Sequence, residues 1–367
     1  MDKIFKYGFI LICCFFLSNC NNDSLPVIIK DIKLKINRPF AMVPNSLSST
    51  NNGTNLTIQN LEDQSISFIE FDSSGQYSTF SMTPDKFQRA HFFQVFIKAF
   101  DSIIIFNKQC NCIQIIDTNG VVSNEVPLQH GLPTTNPENG LYCYGNYIFL
   151  GNSDQNFNVG KQLERLNYYT SVQPVYQIDL KSDMNIKETV FGSFPTKYTK
   201  FNLDFCNYFP NICLYNASSV LLSFTSDDSI YVYENGVRIN SFLCKSKYVD
   251  KFNSFSDQKR LDMAYYKKYL TTEPKYLNLI HDKYQNQFYR IVKHRFIYNA
   301  ENQLDNDHLT WSIIVLNSNL KVVKELLFNY RFYSPEIIIP SINGIYISKT
   351  VTTLDNPKNL TLTLVKF

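Results

Sequence analysis

Most of the chain after residue 26 consists of short apolar runs separated by polar turns. In five places two such runs flank a turn of a few polar residues, which is the pattern of a β-hairpin. Each turn carries a polar side chain that can hydrogen-bond the backbone of the turn itself. The sequence therefore predicts five hairpins, at residues 65–80, 112–128, 175–191, 229–243 and 311–328, with Asp72, Asp117, Asp179, Glu234 and Asn317 at or near their turns.

A second kind of segment is apolar almost throughout and shows no polar alternation. Such runs precede or follow the hairpins at Ser102–Phe106, Tyr147–Leu150, Val220–Phe224 and Gly344–Ser348. A short continuous apolar run is typical of a strand that is buried on both faces. We therefore expect these four segments to be inner strands.

The hairpins recur at a spacing that favours a repeat. Their turn residues follow one another at intervals of 45 to 83 residues, and repeats of about 40 to 50 residues with four strands each are typical of β-propeller blades. Five hairpins and a terminal set at 336–367 predict an all-β, six-bladed β-propeller with four-stranded antiparallel blades. Val27–Ile36 is predicted to pair with the last strand, Leu360–Phe367, and to close the ring. A pair of two-sheet sandwiches or a large open β structure is the alternative.

One segment breaks the β pattern and predicts a single helical insertion at about residues 256–270. Ser256 suits a helix N-cap, and Leu261, Tyr265 and Tyr269 form one apolar stripe. The helix can cover the edge of a blade. The other interpretation is that it roofs a central funnel or holds a partner protein.

The N-terminus has the pattern of a targeting segment. Two lysines precede an apolar run at Gly8–Leu17, which is too short to cross about 30 Å of hydrocarbon as a helix. The run ends just before Cys20, and polar residues follow. This order resembles a bacterial lipoprotein signal, in which a peptidase cuts before a Cys that then carries acyl chains. An ordinary cleaved signal, with Cys20 incidental, is the alternative.

The lipoprotein interpretation predicts three segments: a signal peptide at 1–19, lipidated Cys20 with a tether to residue 26, and a single propeller domain at 27–367. Several acyl chains make a lasting membrane anchor. Asn21 is not the Asp that retains many lipoproteins at the inner membrane, so the expected location is the outer membrane. The leaflet stays open.

Composition narrows the function classes. The 367 residues are 44% hydrophobic and 18% charged, which excludes disorder. The net charge of +3 is too small for a protein that binds nucleic acid by neutralising phosphates. We expect no cofactor, no metal and no nucleic-acid partner.

Six cysteines remain once the signal and Cys20 are set aside. An even number in an oxidising compartment permits disulfides. Cys206 and Cys213 bracket a loop that a bridge could close, although buried free thiols fit the spacing equally well. Cys110 and Cys112 offer two ligands on one strand without a nearby His, which falls short of a zinc site.

Several motifs together resemble a known family. The lipid signal ending at Cys20, the Asp-turn-Gly hairpins at 72–75 and 117–120, and the segments 191–195, 276–290 and 344–348 match β-propeller lipoproteins of unknown function from polysaccharide-degrading, gut-type bacteria. The resemblance implies architecture and location. It supplies no activity and no catalytic residues.

Candidate binding residues are few. The chain has one Trp, which excludes propeller enzymes with repeated Trp motifs, and it lacks phosphate-loop, nucleophile-elbow and zinc-protease motifs. Tyr289–Arg290 and Arg331 combine an Arg with aromatic neighbours, which suits a carboxylate, a phosphate or a sugar. The alternative is an Arg that ties neighbouring blades through backbone carbonyls. Asp204, Asp227 and Asp228 are interpreted as ordinary loop acids.

The first functional hypothesis is an outer-membrane-anchored, non-catalytic binding or interaction module, with a glycan or a protein as partner. The second is a hydrolase or lyase that acts on a carbohydrate in the central funnel, where two carboxylates would have to meet. The third is a scaffold that holds a partner through the helical insertion. No catalytic residue is assigned.

Overall fold

The computed structural model describes residues 26–35, 42–49, 53–60, 66–72, 76–82, 92–99, 102–107, 110–119, 121–128, 142–144, 146–152, 162–180, 186–200, 210–216, 218–255, 262–299, 301, 303–305, 308–350 and 359–366. Within these residues the strands form six four-stranded antiparallel sheets. The predicted signal peptide, Cys20 and the start of the predicted tether lie outside the described residues.

Each sheet is one blade, built with one exception from four consecutive strands. In chain order the strands are β1 (Val27–Lys35), β2 (Met42–Ser49), β3 (Gly53–Asn60), β4 (Ile66–Asp72), β5 (Tyr77–Met82), β6 (Phe92–Ala99), β7 (Ser102–Asn107), β8 (Cys112–Ile116), β9 (Val122–Pro127), β10 (Tyr142–Tyr144), β11 (Tyr147–Gly151), β12 (Val175–Leu180), β13 (Ile186–Phe191), β14 (Pro210–Leu214), β15 (Ser219–Phe224), β16 (Ser229–Glu234), β17 (Val237–Leu243), β18 (Lys275–Asp282), β19 (Gln287–Lys293), β20 (Thr310–Leu316), β21 (Val322–Asn329), β22 (Tyr333–Ser341), β23 (Gly344–Lys349) and β24 (Asn359–Lys366). Blade 1 is β2–β5, and the following sets of four form blades 2 to 5.

The five predicted hairpins are the two outer strands of blades 1 to 5, so this prediction is confirmed. At three of the turns the polar side chain accepts hydrogen bonds from backbone N–H groups two or four residues later, as expected: Asp72, Asp117 and Asn317. Blade 4 differs, because Asn235 and Gly236 make the turn with φ of 50° and 80°. Glu234 instead accepts a hydrogen bond from Ser218 at 3.1 Å.

The second strand of a blade is buried on both faces, as the continuous apolar runs predicted. Every residue of β15 is buried, and β7 is buried in all but its first residue. The apolar side chains form clusters between neighbouring sheets, and these clusters join blades 2 and 3, 3 and 4, 4 and 5, 5 and 6, and 6 and 1. The core is therefore a ring of sheet-on-sheet contacts.

Blade 6 closes the ring with strands from both ends of the chain. Its order is β1-β24-β23-β22, so β1 is the outermost strand. The register runs from Val27 opposite Lys366 to Lys35 opposite Asn359. Leu34 of β1 joins a buried cluster with residues of blades 6 and 1. The predicted pairing of Val27–Ile36 with the last strand is confirmed, and so is the six-bladed propeller.

The alternating strand directions give the ring two different faces. We call turn face the side that carries the turns between strands one and two and between strands three and four of each blade. We call loop face the opposite side, which carries the connections between strands two and three and those between blades. The described helices all lie in loop-face connections: α1 (Gln162–Ser171), α2 (Thr196–Lys200) and α3 (Met263–Thr272).

The prediction of a single helical insertion was incomplete, because α1 and α2 accompany α3. The α1 sequence is rich in Tyr, Asn, Thr and Ser, which are weak helix formers, and α2 has only five residues. The α3 helix is shorter than predicted. It begins after Asp262, whose carboxylate accepts from the N–H groups of Ala264 and Tyr265 at 3.0 Å, while residues 256–261 lie outside the described part. Among the described helices, none has the length and apolar character needed to cross a membrane.

Candidate functional site

A cluster of charged side chains lies on the loop face over blades 3, 4 and 5. Asp227 and Asp228 belong to the connection between β15 and β16, and Lys197 is on α2. The Asp227 carboxylate is 3.7 Å from the Lys197 ammonium and accepts a hydrogen bond of 2.5 Å from the Tyr231 hydroxyl. The Asp228 carboxylate accepts one of 2.6 Å from the Tyr276 hydroxyl of blade 5. Tyrosines therefore hold both carboxylates in place.

The cluster is electrically balanced, with the cations Lys197 and Arg290 against the anions Asp227 and Asp228. Burial lowers the pKa of Lys197, and Arg290 adds to this effect, while the two carboxylates oppose it. The ammonium also lies 4.9 Å from the centre of the Phe252 ring. Because each carboxylate already has a protein donor, the pair serves as a loop anchor. This agrees with the interpretation of these acids as ordinary loop residues; Asp204 lies outside the described residues.

Arg290 is fully buried behind the two aspartates. Its guanidinium donates to the backbone carbonyls of Asp227 and Asp228 at 2.5 and 2.8 Å, to Cys244 at 2.8 Å and to the Ser223 hydroxyl at 3.0 Å. A longer bond of 3.4 Å reaches the carbonyl of Ser229. These acceptors belong to blade 4 and Arg290 to blade 5. The side chain is thus the tie between blades that the alternative interpretation described.

The face of the Tyr276 ring covers the same guanidinium, with 3.4 Å between Cζ and the ring centre. A cation in contact with an aromatic ring gains further stabilisation when water is excluded. Arg290 therefore has partners on its edges and on one face, and it has no exposed surface to offer to a ligand.

The other two candidate binding residues differ in exposure. Tyr289 is buried, and its hydroxyl donates to the Asp282 carboxylate at 2.6 Å. Arg331 is exposed in the loop-face connection between β21 and β22. Its guanidinium carbon is 5.7 Å from the ring centre of Phe332, which is itself 56% exposed. Of the three candidates, Arg331 alone presents its charge to solvent, together with an adjacent aromatic ring.

The end of α3 is fixed by a second group of charges. Lys293 is buried, and its ammonium donates to the carbonyls of Thr271 and Glu273, the latter at 2.8 Å. Burial, with Lys275 and Arg295 nearby, lowers its pKa to about 7, against the effect of Glu273. An amine with such a pKa can serve as a nucleophile, but here it binds the last carbonyls of a helix. Arg295 pairs with the Glu273 carboxylate.

A buried chain of polar side chains runs from His294 into blade 5. The His294 Nε2 atom is 2.8 Å from the Ser312 hydroxyl, which is 2.5 Å from the Glu325 carboxylate. An ionised carboxylate only accepts hydrogen bonds, so Ser312 donates to Glu325 and accepts from the His294 Nε2–H group. Nδ1 then accepts from Thr310 at 2.9 Å. Burial lowers the pKa of His294 to about 4, which favours this neutral form.

The order of these groups argues against nucleophilic catalysis. In a Ser-His-acid triad the His lies between the Ser and the carboxylate, where it can take the Ser proton. Here Ser312 lies between His294 and Glu325. Ser312 is also completely buried. The chain of hydrogen bonds therefore links strands and does not form a reaction centre.

The sequence left two alternatives open for Cys213, a bridge to Cys206 or a buried free thiol. Cys213 is a free, fully buried thiol whose side chain faces blade 5, so the possible bridge to Cys206 is not formed; Cys206 itself lies outside the described residues. Cys110 and Cys112 form a disulfide instead, with 5.3 Å between their Cα atoms. Asn111 between them has a φ of 52°, a conformation that Asn adopts more readily than most residues. Burial raises the pKa of the free thiol of Cys244 to about 11.

The Cys110–Cys112 disulfide belongs to the one group of three candidate metal ligands found among the described residues, with Glu125 as the third member. Both sulfur atoms are already bonded to each other. In this oxidised form the group offers a single carboxylate.

Three important partners were not predicted from the sequence: Lys197 on α2, Tyr276 over Arg290, and Glu325 in the buried chain. Each acts across a distance of at least 13 residues in the sequence, for example from Glu325 to Ser312. Tyr276 opens the segment 276–290 that resembles the known family, but that resemblance does not reveal its contact with Arg290. Tyr276 and Glu325 meet their partners on neighbouring strands of blade 5, and Lys197 reaches Asp227 from the connection between blades 3 and 4.

Comparison with known proteins identifies the family. A family model described as DUF4221, a domain of unknown function, matches residues 90–327. The chain belongs to the DUF4221 family. A DUF4221 member from Bacteroides vulgatus has a crystal structure that covers 93% of this chain and 97% of its own, with a TM-score of 0.69 and 15% identity. At this identity the likeness shows the fold. The expected resemblance to a propeller family of unknown function is thus confirmed.

Two further solved structures match this DUF4221 chain less well. A catalytically inactive virginiamycin B lyase from Staphylococcus aureus covers 91% of this chain and 99% of its own, with a TM-score of 0.43 and 11% identity. A luciferin-regenerating enzyme has a TM-score of 0.43 and 9% identity over 93% of this chain and 95% of its own. Neither supports a statement about activity. No curated protein matches the sequence.

Proposed function

We propose that this DUF4221 protein is a non-catalytic binding module that is anchored to the outer membrane through Cys20, with a glycan or a protein as its partner. The proposal rests on the observation that the charged side chains in the loop-face cluster already have partners within the protein. Asp227, Asp228, Arg290 and Lys293 all have protein partners within the fold. A catalytic centre needs groups that are held ready for substrate.

The loop face also supplies a surface that suits recognition. Helices α1 to α3 and long connections lie there on a rigid ring of sheets. Arg331 and Phe332 present a cation beside an exposed aromatic ring. Arg and aromatic residues are enriched where proteins bind their partners, and an aromatic face also stacks on sugars. The proposed contact surface is therefore centred on Arg331 and Phe332.

Affinity capture tests this proposal. The full lipoprotein is purified from its native membrane, and the proteins and glycans that accompany it are identified by mass spectrometry. We expect the partner to be lost with Phe332→Ser and retained with Ile342→Ser. The two residues flank the same strand, β22, and are 56% and 53% exposed, but Phe332 lies on the loop face and Ile342 on the turn face.

Two outcomes would contradict the proposal. Equal recovery of the partner with both variants would remove the loop face from recognition. Turnover of a captured glycan by the purified protein, abolished by Asp227→Asn, would favour the hydrolase or lyase hypothesis instead.

A further inference from the structure

Both ends of the propeller chain lie on the turn face. The third strand of each blade runs toward the turn face, and β24 is the third strand of blade 6. Val27 pairs with Lys366 at the end of β24, whereas Lys35 pairs with Asn359 at its start. The chain therefore enters the propeller at Val27 on the turn face, on the side opposite to the described helices.

The distance from the proposed lipid anchor to this point is short. Cys20 precedes Val27 by seven residues. At most about 3.5 Å per residue, such a tether spans roughly 25 Å when fully extended. The turn face at blade 6 is thus held close to the bilayer. A tether at blade 6 alone would still let the ring tilt or stand on edge.

A regular set of exposed apolar side chains lies on the same face. In five blades the first residue of the outermost strand is apolar and between 43% and 65% exposed: Tyr77, Val122, Val237, Val322 and Val27. The sixth, Ile186 of blade 3, is apolar by sequence. Ile342 adds a further exposed apolar side chain. The exposed residues of these five blades form an apolar rim on the turn face.

Equivalent positions in different blades carry this rim, which distinguishes it from scattered surface residues. We propose that the turn face lies on the lipid bilayer and that the loop face points away from it. The inference rests on the lipid anchor proposed above. The rim residues contact the boundary between headgroups and acyl chains, where apolar side chains of peripheral proteins reside.

Charge attraction is not required for this arrangement. The turn face carries charges of both signs in different blades, for example Lys321 and Lys366 as cations and Asp117 and Glu234 as anions. We therefore expect the contact to form on zwitterionic lipid and to resist added salt, because salt screens charge interactions and leaves apolar contacts in place.

The single Trp of the chain allows a direct test. Trp311 is completely buried, so a Trp introduced at the surface reports its own surroundings. Val237 and Leu243 are the first and last residues of β17 and are 65% and 73% exposed. They lie on opposite faces, about 20 Å apart along the strand. Val237→Trp and Leu243→Trp are thus a matched pair.

The full lipoprotein variants are reconstituted in vesicles of phosphatidylcholine, with and without bromine on the acyl chains, because bromine quenches nearby Trp emission. We expect the emission of Val237→Trp to fall in the brominated vesicles and that of Leu243→Trp to stay unchanged. Val27→Trp, at the tether, is the positive control and should also be quenched. Hydrogen exchange of the wild type should show protection of turns 117–121 and 317–321 on vesicle binding, but not of 330–332.

The outcomes separate this inference from the anchor itself. If flotation with vesicles is the same for the wild type and Cys20→Ser, the lipid anchor is wrong and the inference fails with it. If flotation needs Cys20 but only Val27→Trp is quenched, the ring hangs freely or stands on edge. Quenching of Leu243→Trp in place of Val237→Trp would reverse the orientation. In the last two cases the inference is overturned while the anchor stands.

Discussion

Replacement of Arg290 by Ala tests the interpretation that this side chain holds blades 4 and 5 together. The guanidinium donates to four backbone carbonyls and one hydroxyl of blade 4 and contacts the ring of Tyr276. Truncation leaves these buried acceptors without their donor, at about 1 to 3 kcal/mol for a single unpartnered group. Loss of one member from a buried ionic arrangement costs about 3 to 5 kcal/mol. We expect the free energy of unfolding to fall by about 4 kcal/mol.

Urea unfolding followed by circular dichroism measures this loss. Arg290→Lys keeps the charge but cannot form the planar fork, so we expect it to lose about half as much stability. Arg331→Ala is the matched control, because this Arg is exposed, and its effect should stay within about 0.5 kcal/mol. If Arg290→Ala and Arg331→Ala unfold at the same urea concentration, the tie between blades is refuted.

Three further predictions concern the ring, its pH dependence and its disulfide. Deletion of β1 (Val27–Lys35) should abolish cooperative thermal unfolding, because β24 keeps only β23 as a partner and blade 6 loses the strand that closes the ring; an unchanged melting curve would contradict this. Burial, aided by nearby carboxylates, raises the pKa of Tyr289 and Tyr231. Above pH 10.5 only the unfolded state loses these protons, so stability should fall by roughly 1.4 kcal/mol per pH unit for each tyrosine in urea titrations; Phe variants should weaken the slope. Replacing Cys110 and Cys112 by Ser should cost only about 1.5 kcal/mol, since the closed loop is short; loss of folding would refute that.

The strand pattern was readable from the sequence because it depends on neighbouring residues. Apolar runs on either side of a polar turn predicted the outer hairpins, such as residues 112–128, and continuous apolar runs predicted second strands such as Val220–Phe224. Both signals follow from which faces of a strand are buried. The first strand of each blade had a weaker sequence pattern. Pro210–Leu214, the first strand of blade 4, was not predicted, although every residue in it is buried.

The side-chain partners could not be read in the same way. The sequence singled out Tyr289–Arg290 as an unusual pair, but two meanings fitted the pattern, and only the burial of Arg290 against blade 4 decides between them. Cys213 faces blade 5 and not its own loop, which no spacing rule reveals. The α1 and α2 helices form because Tyr168 of α1 and Tyr198 of α2 pack on blade 4. Tertiary contact, and not local propensity, makes these segments helical.

Strand β19 explains why charged residues concentrate over blades 4 and 5. The connection between these blades, from Cys244 to Pro274, includes α3 and has to cross the loop face. Arg290 donates to the carbonyl of Cys244 at the start of this connection, and Lys293 donates to the carbonyls at the end of α3. Buried carbonyls need donors, and two cations from one strand supply them at both ends. The charges therefore fix the start of this connection and the end of α3, so we expect recognition on the loop face to depend on exposed side chains such as Phe332 and not on this cluster.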